Sequence, residues 1–179
     1  CVDCGTLSHE AIESLDASDL RVLDPHLGSE ILPRCYAVVN PNRQDELGDL
    51  SHLCAAAVVF LCLVEMRRLL RQSAGESPDL LDMLDLVALA TVADVAPLVG
   101  VNRAFVRQGL KILSSRKRIG LAALSDQVKI DQELSTYHLG FLLGPRLNAG
   151  GRIGKSDLGA QLLISRDLES AKAMAERLD

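Results

Sequence analysis

Short apolar runs alternate with turn-forming segments near the start of the chain. Residues 2–4, 20–23 and 35–39 have the length and composition of β-strands, and glycine, aspartate, asparagine or proline follows each of them. Between the first two runs, Ser8 is a suitable cap for a helix that reaches about Leu15. The pattern predicts parallel strands joined by a helix, a compact βαβ unit.

From residue 52 onward the apolar positions recur at helical spacing. Helices are predicted over 53–70, 80–95 and 102–113. Pro97 ends the second of these, because proline cannot donate a backbone hydrogen bond, so Asp94 is expected at a helix end. The remaining predicted elements are a loop over 72–78, a short helix near Leu121, a glycine-rich loop over 144–154 and closing helices over 157–164 and 168–178.

These elements predict an α/β chain with a parallel sheet at its amino end and a mainly helical second half. We expect residues 1–100 to form a partial α/β domain and residues 101–179 its helical continuation. A chain of 179 residues with 48% hydrophobic residues can bury a core, and its longest apolar runs are shorter than the ~18 residues of a membrane span. It starts without methionine or a leader-like pattern, so we expect an excerpt from a longer protein.

Charge is unevenly distributed along the sequence. Residues 1–100 hold 6 Lys and Arg against 16 Asp and Glu, whereas residues 101–155 hold 10 against 3. An acidic region can collect divalent cations and a basic one attracts phosphates, although ordinary solvated helix faces explain the same counts. The five cysteines are an odd number in a chain that needs no disulfides, which favours a reducing cytoplasm. Cys1 and Cys4 lack a second pair, so structural zinc is not predicted.

Three aspartates end apolar elements, where packing gives no reason for a carboxylate. Asp3, Asp24 and Asp94, together with His26, are the oxygen and imidazole ligands that suit Mg²⁺ or Mn²⁺. Because parallel strands end at one edge of a sheet, Asp3 and Asp24 are expected together there. The alternative is that these aspartates only form turns or end a helix.

The segment 144–154 concentrates glycine and arginine. Its glycines permit tight turns, and Arg146 and Arg152 offer planar forks for phosphate oxygens, which indicates a phosphate clamp. The alternative is a structural connection with capping glycines and solvent-facing arginines.

Several of these motifs occur in the order typical of one family. Residues 2–5, 22–26, 38–41, 52–60, 85–98, 102–103 and 144–154 resemble the RecJ branch of the DHH phosphoesterases, which are single-strand-specific 5′→3′ DNA exonucleases of repair and recombination. The resemblance implies hydrolysis of single-stranded DNA with Mn²⁺ or Mg²⁺, partners among DNA-repair proteins, and a cytoplasmic protein without a membrane anchor.

The resemblance also implies roles for particular residues. Asp3 and Asp94 match metal ligands, and Asp24 and His26 match the first and last residues of the Asp-His-His signature, with His26 acting on the phosphate. The residues that match the loop near the DNA are Arg146, Asn148 and Arg152.

Some family features are replaced or absent, and they leave alternatives open. Pro25 stands where the middle histidine of the signature belongs, Ala57 replaces a usual glycine, and the upstream Asp-x-Asp and the carboxy-terminal domain lie outside the sequence. The first hypothesis is therefore a fragment of such an exonuclease, weak or inactive alone. The second is a catalytically lapsed nucleic-acid-binding or scaffold module, which Pro25 favours. A phosphoesterase for short oligonucleotides or cyclic dinucleotides ranks lower.

Overall fold

The structure is a computed structural model, and it describes residues 1–15, 19–70, 79–150 and 157–179. Within these ranges there are two strands, β1 (Arg21–Leu23) and β2 (Ala37–Val39). The α-helices are α1 (His9–Glu13), α2 (Ala55–Leu70), α3 (Leu84–Ala93), α4 (Gly100–Ser114), α5 (Ile119–Gln127), α6 (Gly144–Ala149), α7 (Leu158–Ile164) and α8 (Leu168–Leu178). A 3₁₀ turn (Leu80–Met83) precedes α3, and a π-helical stretch (His138–Leu143) precedes α6. Contacts group the residues into two compact units, Cys1–Leu80 and Leu81–Asp179.

The first unit contains the small parallel sheet. β1 and β2 pair in parallel with Val22 opposite Val38, and Val2 forms an isolated parallel bridge to Leu23 on the other side of β1. Val22 is fully buried, as expected for the middle strand. The predicted fold class is confirmed: a parallel sheet with a βαβ unit at the amino end, followed by a mainly helical half.

The second unit is a helical bundle with a leucine-rich core. Where α3 crosses α4, the helices approach so closely that a Cβ atom on Gly109 would lie 2.1 Å from the carbonyl oxygen of Leu84. A Cβ atom on Gly120 of α5 would lie 1.9 Å from the carbonyl oxygen of Leu162 in α7. Both positions therefore need glycine because backbone occupies the space of a side chain.

A buried ion pair joins two helix starts in this bundle. Arg118 donates through Nε and Nη2 to the two carboxylate oxygens of Asp85, at 2.7 and 3.0 Å. Asp85 is buried, and Arg118 also donates to the carbonyl oxygen of Leu163. The guanidinium bonds to both carboxylate oxygens, which offsets the free-energy cost of burying the charge of Asp85.

The glycine-rich segment differs from its prediction. A loop was expected over 144–154, but residues 144–149 are helical, and Pro145 is tolerated because it lies in the first turn. Residues 151–154 lie outside the described residues, as does the loop predicted over 72–78.

The π-helical stretch was not predicted. It begins at buried His138, whose Nδ1 accepts a hydrogen bond from the Ser135 N–H at 3.0 Å.

The other elements agree closely with the sequence pattern. The closing helices are confirmed, and α3 ends as expected, with Asp94 as its C-terminal cap. The division into domains 1–100 and 101–179 stays a prediction. Among the residues that the structure describes, no helix is long and apolar enough to span a membrane.

Candidate metal and catalytic site

Asp3, Asp24 and His26 come together at the carboxyl edge of the sheet. Each offers one ligand atom, and these three atoms all lie within 4.8 Å of one another. Asp24 is buried, whereas Asp3 and His26 are exposed and so are open to a ligand from solvent. The predicted meeting of strand-end carboxylates with His26 is thus present in the structure, although the roles of these residues stay a prediction.

Backbone pairing explains why the two aspartates meet. The Asp3 N–H donates to the Leu23 carbonyl at 2.9 Å, and the Asp24 N–H donates to the Val39 carbonyl at 3.1 Å. Each aspartate therefore follows the last paired position of its own strand segment. Asp3 also has a φ of 61°, in the left-handed region that aspartate tolerates better than most residues, and this conformation turns the chain at the sheet edge.

The Asp24 carboxylate is held by several hydrogen bonds. Its Oδ2 accepts from the Thr6 N–H at 2.9 Å, and its Oδ1 accepts from the His26 N–H at 3.2 Å and lies 2.7 Å from His26 Nδ1. Burial by itself raises the pKa of Asp24, but the hydrogen bonds from Thr6 and His26 outweigh it and hold the pKa below its ordinary value of 3.8. Asp24 is therefore ionised at neutral pH.

Two asparagines support this loop, and the sequence analysis did not predict them as site residues. Asn40 Nδ2 donates to the His26 carbonyl at 2.7 Å and to Thr6 Oγ1 at 3.0 Å. Asn42 Nδ2 donates to the Pro25 carbonyl at 2.6 Å. Asn40 is buried and Asn42 is half-buried, and both donate to carbonyls of the signature loop. The sequence signal that could have found them is the pair of asparagines in the turn after β2.

The chemistry of the cluster fits a divalent cation. Two carboxylates and one imidazole are the donor types that Mn²⁺ accepts, and Mg²⁺ accepts the carboxylates. Asp24 Oδ1 lies 2.7 Å from His26 Nδ1, so the carboxylate can orient the imidazole ring. Three side chains are fewer than the six ligands of an octahedral ion, so the cluster is part of a coordination sphere.

Asp94 belongs to the other unit. It is exposed and caps α3, with its backbone N–H donating to the Ala90 carbonyl at 2.9 Å. Its role as a metal ligand, which the resemblance implies, stays a prediction.

The predicted phosphate-binding residues lie on or after α6. Arg146 is half-buried, and its Nε donates to Asp179 Oδ1 at 2.6 Å while Nη1 donates to the Leu142 carbonyl at 3.0 Å. Asn148 is exposed one half-turn further along the helix. Arg152 lies outside the described residues. Arg146 is therefore positioned by the Asp179 carboxylate and the Leu142 carbonyl.

The sheet, the cluster at its edge and the helical continuation match one protein family. A family profile described as "DHH family, N-terminal domain" matches residues 1–91, which is more than half of the chain. The chain belongs to the DHH family.

Within that family the similar proteins share one name. The chain is 37% identical over 188 residues to the single-stranded-DNA-specific exonuclease RecJ of Escherichia coli (strain K12), covering 99% of this chain and 33% of that protein. It is 31% identical over 179 residues to the RecJ of Thermus thermophilus, covering 99% of this chain and 25% of that protein. The chain thus spans about a third or less of these relatives.

Solved structures give the same result. The crystal structure of RecJ in complex with Mn²⁺ from Thermus thermophilus matches with a TM-score of 0.84 at 31% identity, covering 99% of this chain and 26% of that one. A crystal structure of exonuclease RecJ bound to manganese matches with a TM-score of 0.84 at 32% identity, covering 99% of this chain and 44% of that one. The recognition of a RecJ-type segment of the DHH family is confirmed.

Proposed function

We propose that this chain is part of a metal-dependent exonuclease that hydrolyses single-stranded DNA from the 5′ end. The observation that carries the proposal is the cluster of Asp3, Asp24 and His26, whose ligand atoms lie within 4.8 Å of one another. The named activity of the RecJ relatives and the manganese in two similar structures support it.

In this proposal each residue of the cluster has a distinct part. Asp3 and Asp24 hold Mn²⁺ or Mg²⁺, and Asp94 keeps the metal-ligand role that the resemblance implies. Bound divalent ions activate water and stabilise the leaving oxygen in phosphodiester hydrolysis. Asp24 also orients the His26 ring through Nδ1, and His26 acts on a phosphate oxygen of the substrate.

The remaining proposed residues bind the DNA backbone. Arg146 and Arg152 supply guanidinium groups and Asn148 an amide for phosphate oxygens. The bond from Arg146 Nε to Asp179 holds the guanidinium in place, and its remaining N–H groups can donate to a phosphate. The parent protein is proposed to act in the cytoplasm, in DNA repair and recombination, with repair proteins as partners.

A catalytically lapsed nucleic-acid-binding or scaffold module is the second candidate, and Pro25 favours it. The proline ring has no metal-binding atom, whereas the family signature has an imidazole at this position. The backbone around it is nevertheless ordered by the Asn42 hydrogen bond to the Pro25 carbonyl. This chain alone is therefore expected to have at most a trace of activity, because part of the ligand set is missing.

The deciding experiment is single-turnover digestion of 5′-labelled single-stranded DNA by the longer parent protein in Mn²⁺. Asp24→Asn keeps the side-chain shape but removes the charge, and it should lower the rate by more than about 100-fold. A loss of about 100-fold is the largest that is typical when a residue that only supports a metal ligand is replaced. Asp49→Asn, which changes an exposed carboxylate of the same unit, should leave the rate unchanged. Mn²⁺-independent digestion, or equal rates for both variants, contradicts the proposal. Single-stranded DNA binding without any digestion selects the lapsed module.

A further inference from the structure

An exposed aromatic pair lies on the helical unit. The rings of Tyr137 and Phe141 stack with their centroids 5.2 Å apart and 27° between their planes. Tyr137 is 57% exposed and Phe141 is 70% exposed. The sequence has three phenylalanines, two tyrosines and no tryptophan, so a chain poor in aromatic residues places two of them side by side in solvent. Packing of the core does not account for this arrangement.

The aromatic pair borders a cavity of about 460 Å³. On the other side of the cavity lies the end of α3 with the residues after it, among them Val92, Val95 and Leu98. Gly140 belongs to its wall, and a Cβ atom there would lie 3.2 Å from Val92 Cγ1. The cavity is thus an apolar slot with aromatic rings along one side. Two of its residues, Ala93 and Val95, directly flank Asp94 in the sequence.

A second cavity of about 300 Å³ continues from this slot. The two share Ala93 and Gly140, and the second extends along α6 to Asn148, which provides polar atoms at its far end. A ligand that lies along both cavities therefore meets aromatic rings at one end and an amide at the other.

Single-stranded nucleic acid has the chemistry that this surface requires. Its bases are flat and stack on aromatic side chains, and its phosphate oxygens accept hydrogen bonds from an amide such as that of Asn148. A protein segment would also fill the apolar slot, but the second cavity leads from the slot to Asn148, which the proposed function assigns to phosphate oxygens, so single-stranded DNA is the occupant that fits both cavities. We propose that Tyr137 and Phe141 form a stacking site for a base of single-stranded DNA, beside Asp94. This inference rests on the proposed function, whose substrate it places on a particular surface.

The test uses the fluorescence of Tyr137 in the 179-residue chain. Tyr36→Phe makes Tyr137 the sole tyrosine of a chain without tryptophan, and phenylalanine keeps the ring that lies over Arg21. A ten-nucleotide oligo(dT) is titrated without metal, alongside a matched oligonucleotide whose central sites are abasic. Oligo(dT) should quench Tyr137, and the abasic oligonucleotide should bind more weakly and quench less.

Substitution of Phe141 separates stacking from phosphate binding. Phe141→Ala should weaken oligo(dT) binding by about 10-fold, a typical loss for one base stack, and change binding of the abasic oligonucleotide by less than about two-fold. Phe141→Trp should restore binding because it restores a stacking ring. Ile164→Ala, which removes an equally exposed apolar side chain outside the cavities, should have no effect.

Four outcomes overturn the inference. The first is no binding of either oligonucleotide, and the second is binding without quenching of Tyr137. The third is an equal loss of binding affinity for both oligonucleotides with Phe141→Ala. The fourth is no effect of Phe141→Ala in the parent protein, which would mean that a protein segment covers the pair. Because no metal is present, the result is independent of hydrolysis. Base-dependent binding without digestion by the parent contradicts only the proposed function, and digestion with base-independent binding contradicts only this inference.

Discussion

The side-chain amide of Asn40 donates a hydrogen bond to the carbonyl oxygen of His26, with 2.7 Å between Nδ2 and the oxygen. The same nitrogen donates to Thr6 Oγ1, and the Thr6 N–H donates to the Asp24 carboxylate. One buried amide thus connects the end of β2 to the loop that carries the catalytic signature. The geometry of Asp24 and His26 depends on a residue that offers no ligand itself.

Replacement of Asn40 should destabilise the first unit. Asn40→Ala leaves the partly buried His26 carbonyl and the buried Thr6 hydroxyl without this donor and should lower the free energy of unfolding by about 1–3 kcal/mol. Asn40→Asp should cost more, because a carboxylate cannot donate and adds a buried charge next to Asp24. Urea denaturation followed by circular dichroism gives the values. Gln44→Ala, which removes one exposed hydrogen bond to Gly28, is the control and should stay within about 0.5 kcal/mol of the original chain. Equal stability of Asn40→Ala and the control would remove Asn40 from the explanation.

The crossing of α3 and α4 should not tolerate a methyl group at Gly109. A Cβ atom there would lie 2.1 Å from the Leu84 carbonyl oxygen and 2.4 Å from Ala88 Cβ. Gly109→Ala should therefore lower the free energy of unfolding by at least about 1–3 kcal/mol, although alanine is the better helix former. In Gly48→Ala the nearest obstacle is the flexible side chain of Glu46, so thermal unfolding should hardly change. A stabilised Gly109→Ala chain would show that the helices do not cross at this distance.

The buried ion pair should be far more sensitive than an exposed one. Arg118→Ala leaves the buried Asp85 carboxylate without its guanidinium partner, which should cost about 3–5 kcal/mol. Arg116→Ala removes a pair with Asp126 in which both side chains are largely exposed, and it should cost less than about 1 kcal/mol. The two values come from the same urea titration. A smaller loss for Arg118→Ala than for Arg116→Ala would mean that Asp85 is solvated.

The contact between Arg146 and Asp179 should depend on pH. The Arg146 guanidinium, with help from Gln127, holds the pKa of Asp179 below its ordinary value of 3.8. A carboxylate whose pKa is lowered by folding stabilises the protein above its unfolded-state pKa, and this stabilisation disappears as the pH falls through the folded-state pKa. Asp179→Asn should therefore cost up to about 1 kcal/mol at neutral pH and nothing in strong acid.

Stability curves for the original chain and Asp179→Asn should converge below pH 3.8. Glu176→Gln, an exposed change on the same helix, should give a curve parallel to the original one. A constant difference between the original chain and Asp179→Asn at every pH would show that the loss does not come from the ionised carboxylate.

Restoring the signature histidine should raise the activity of the parent protein. Pro25→His adds an imidazole where the family has one, and the Asn42 hydrogen bond to the carbonyl of residue 25 can persist. We expect faster digestion of single-stranded DNA and a lower half-saturating Mn²⁺ concentration in the parent, with little gain in this chain alone. Equal rates and equal half-saturation in the two forms of the parent would mean that another side chain already fills the coordination position.

Local patterns in the sequence were sufficient for the elements and for the identity of the candidate ligands. Short apolar runs bounded by turn-forming residues predicted the parallel strands, and helical spacing predicted most helices, because both signals depend on neighbouring residues. Pro97 placed the end of α3 next to Asp94 for the same reason. Strand-end aspartates pointed to the sheet edge, since parallel strands end on one side.

Tertiary structure decided which distant residues contact each other, both at the site and in the helical bundle. Thr6 and Asn40 are 34 positions apart, and Asp85 and Arg118 are 33 apart, so no local pattern relates them. It also made residues 144–149 a helix, where glycine and proline favoured a loop, because packing overrides a local preference of about 1 kcal/mol for each glycine. The sequence by itself determined the chemical groups of this protein, and the distances between them came from contacts that only the folded chain makes.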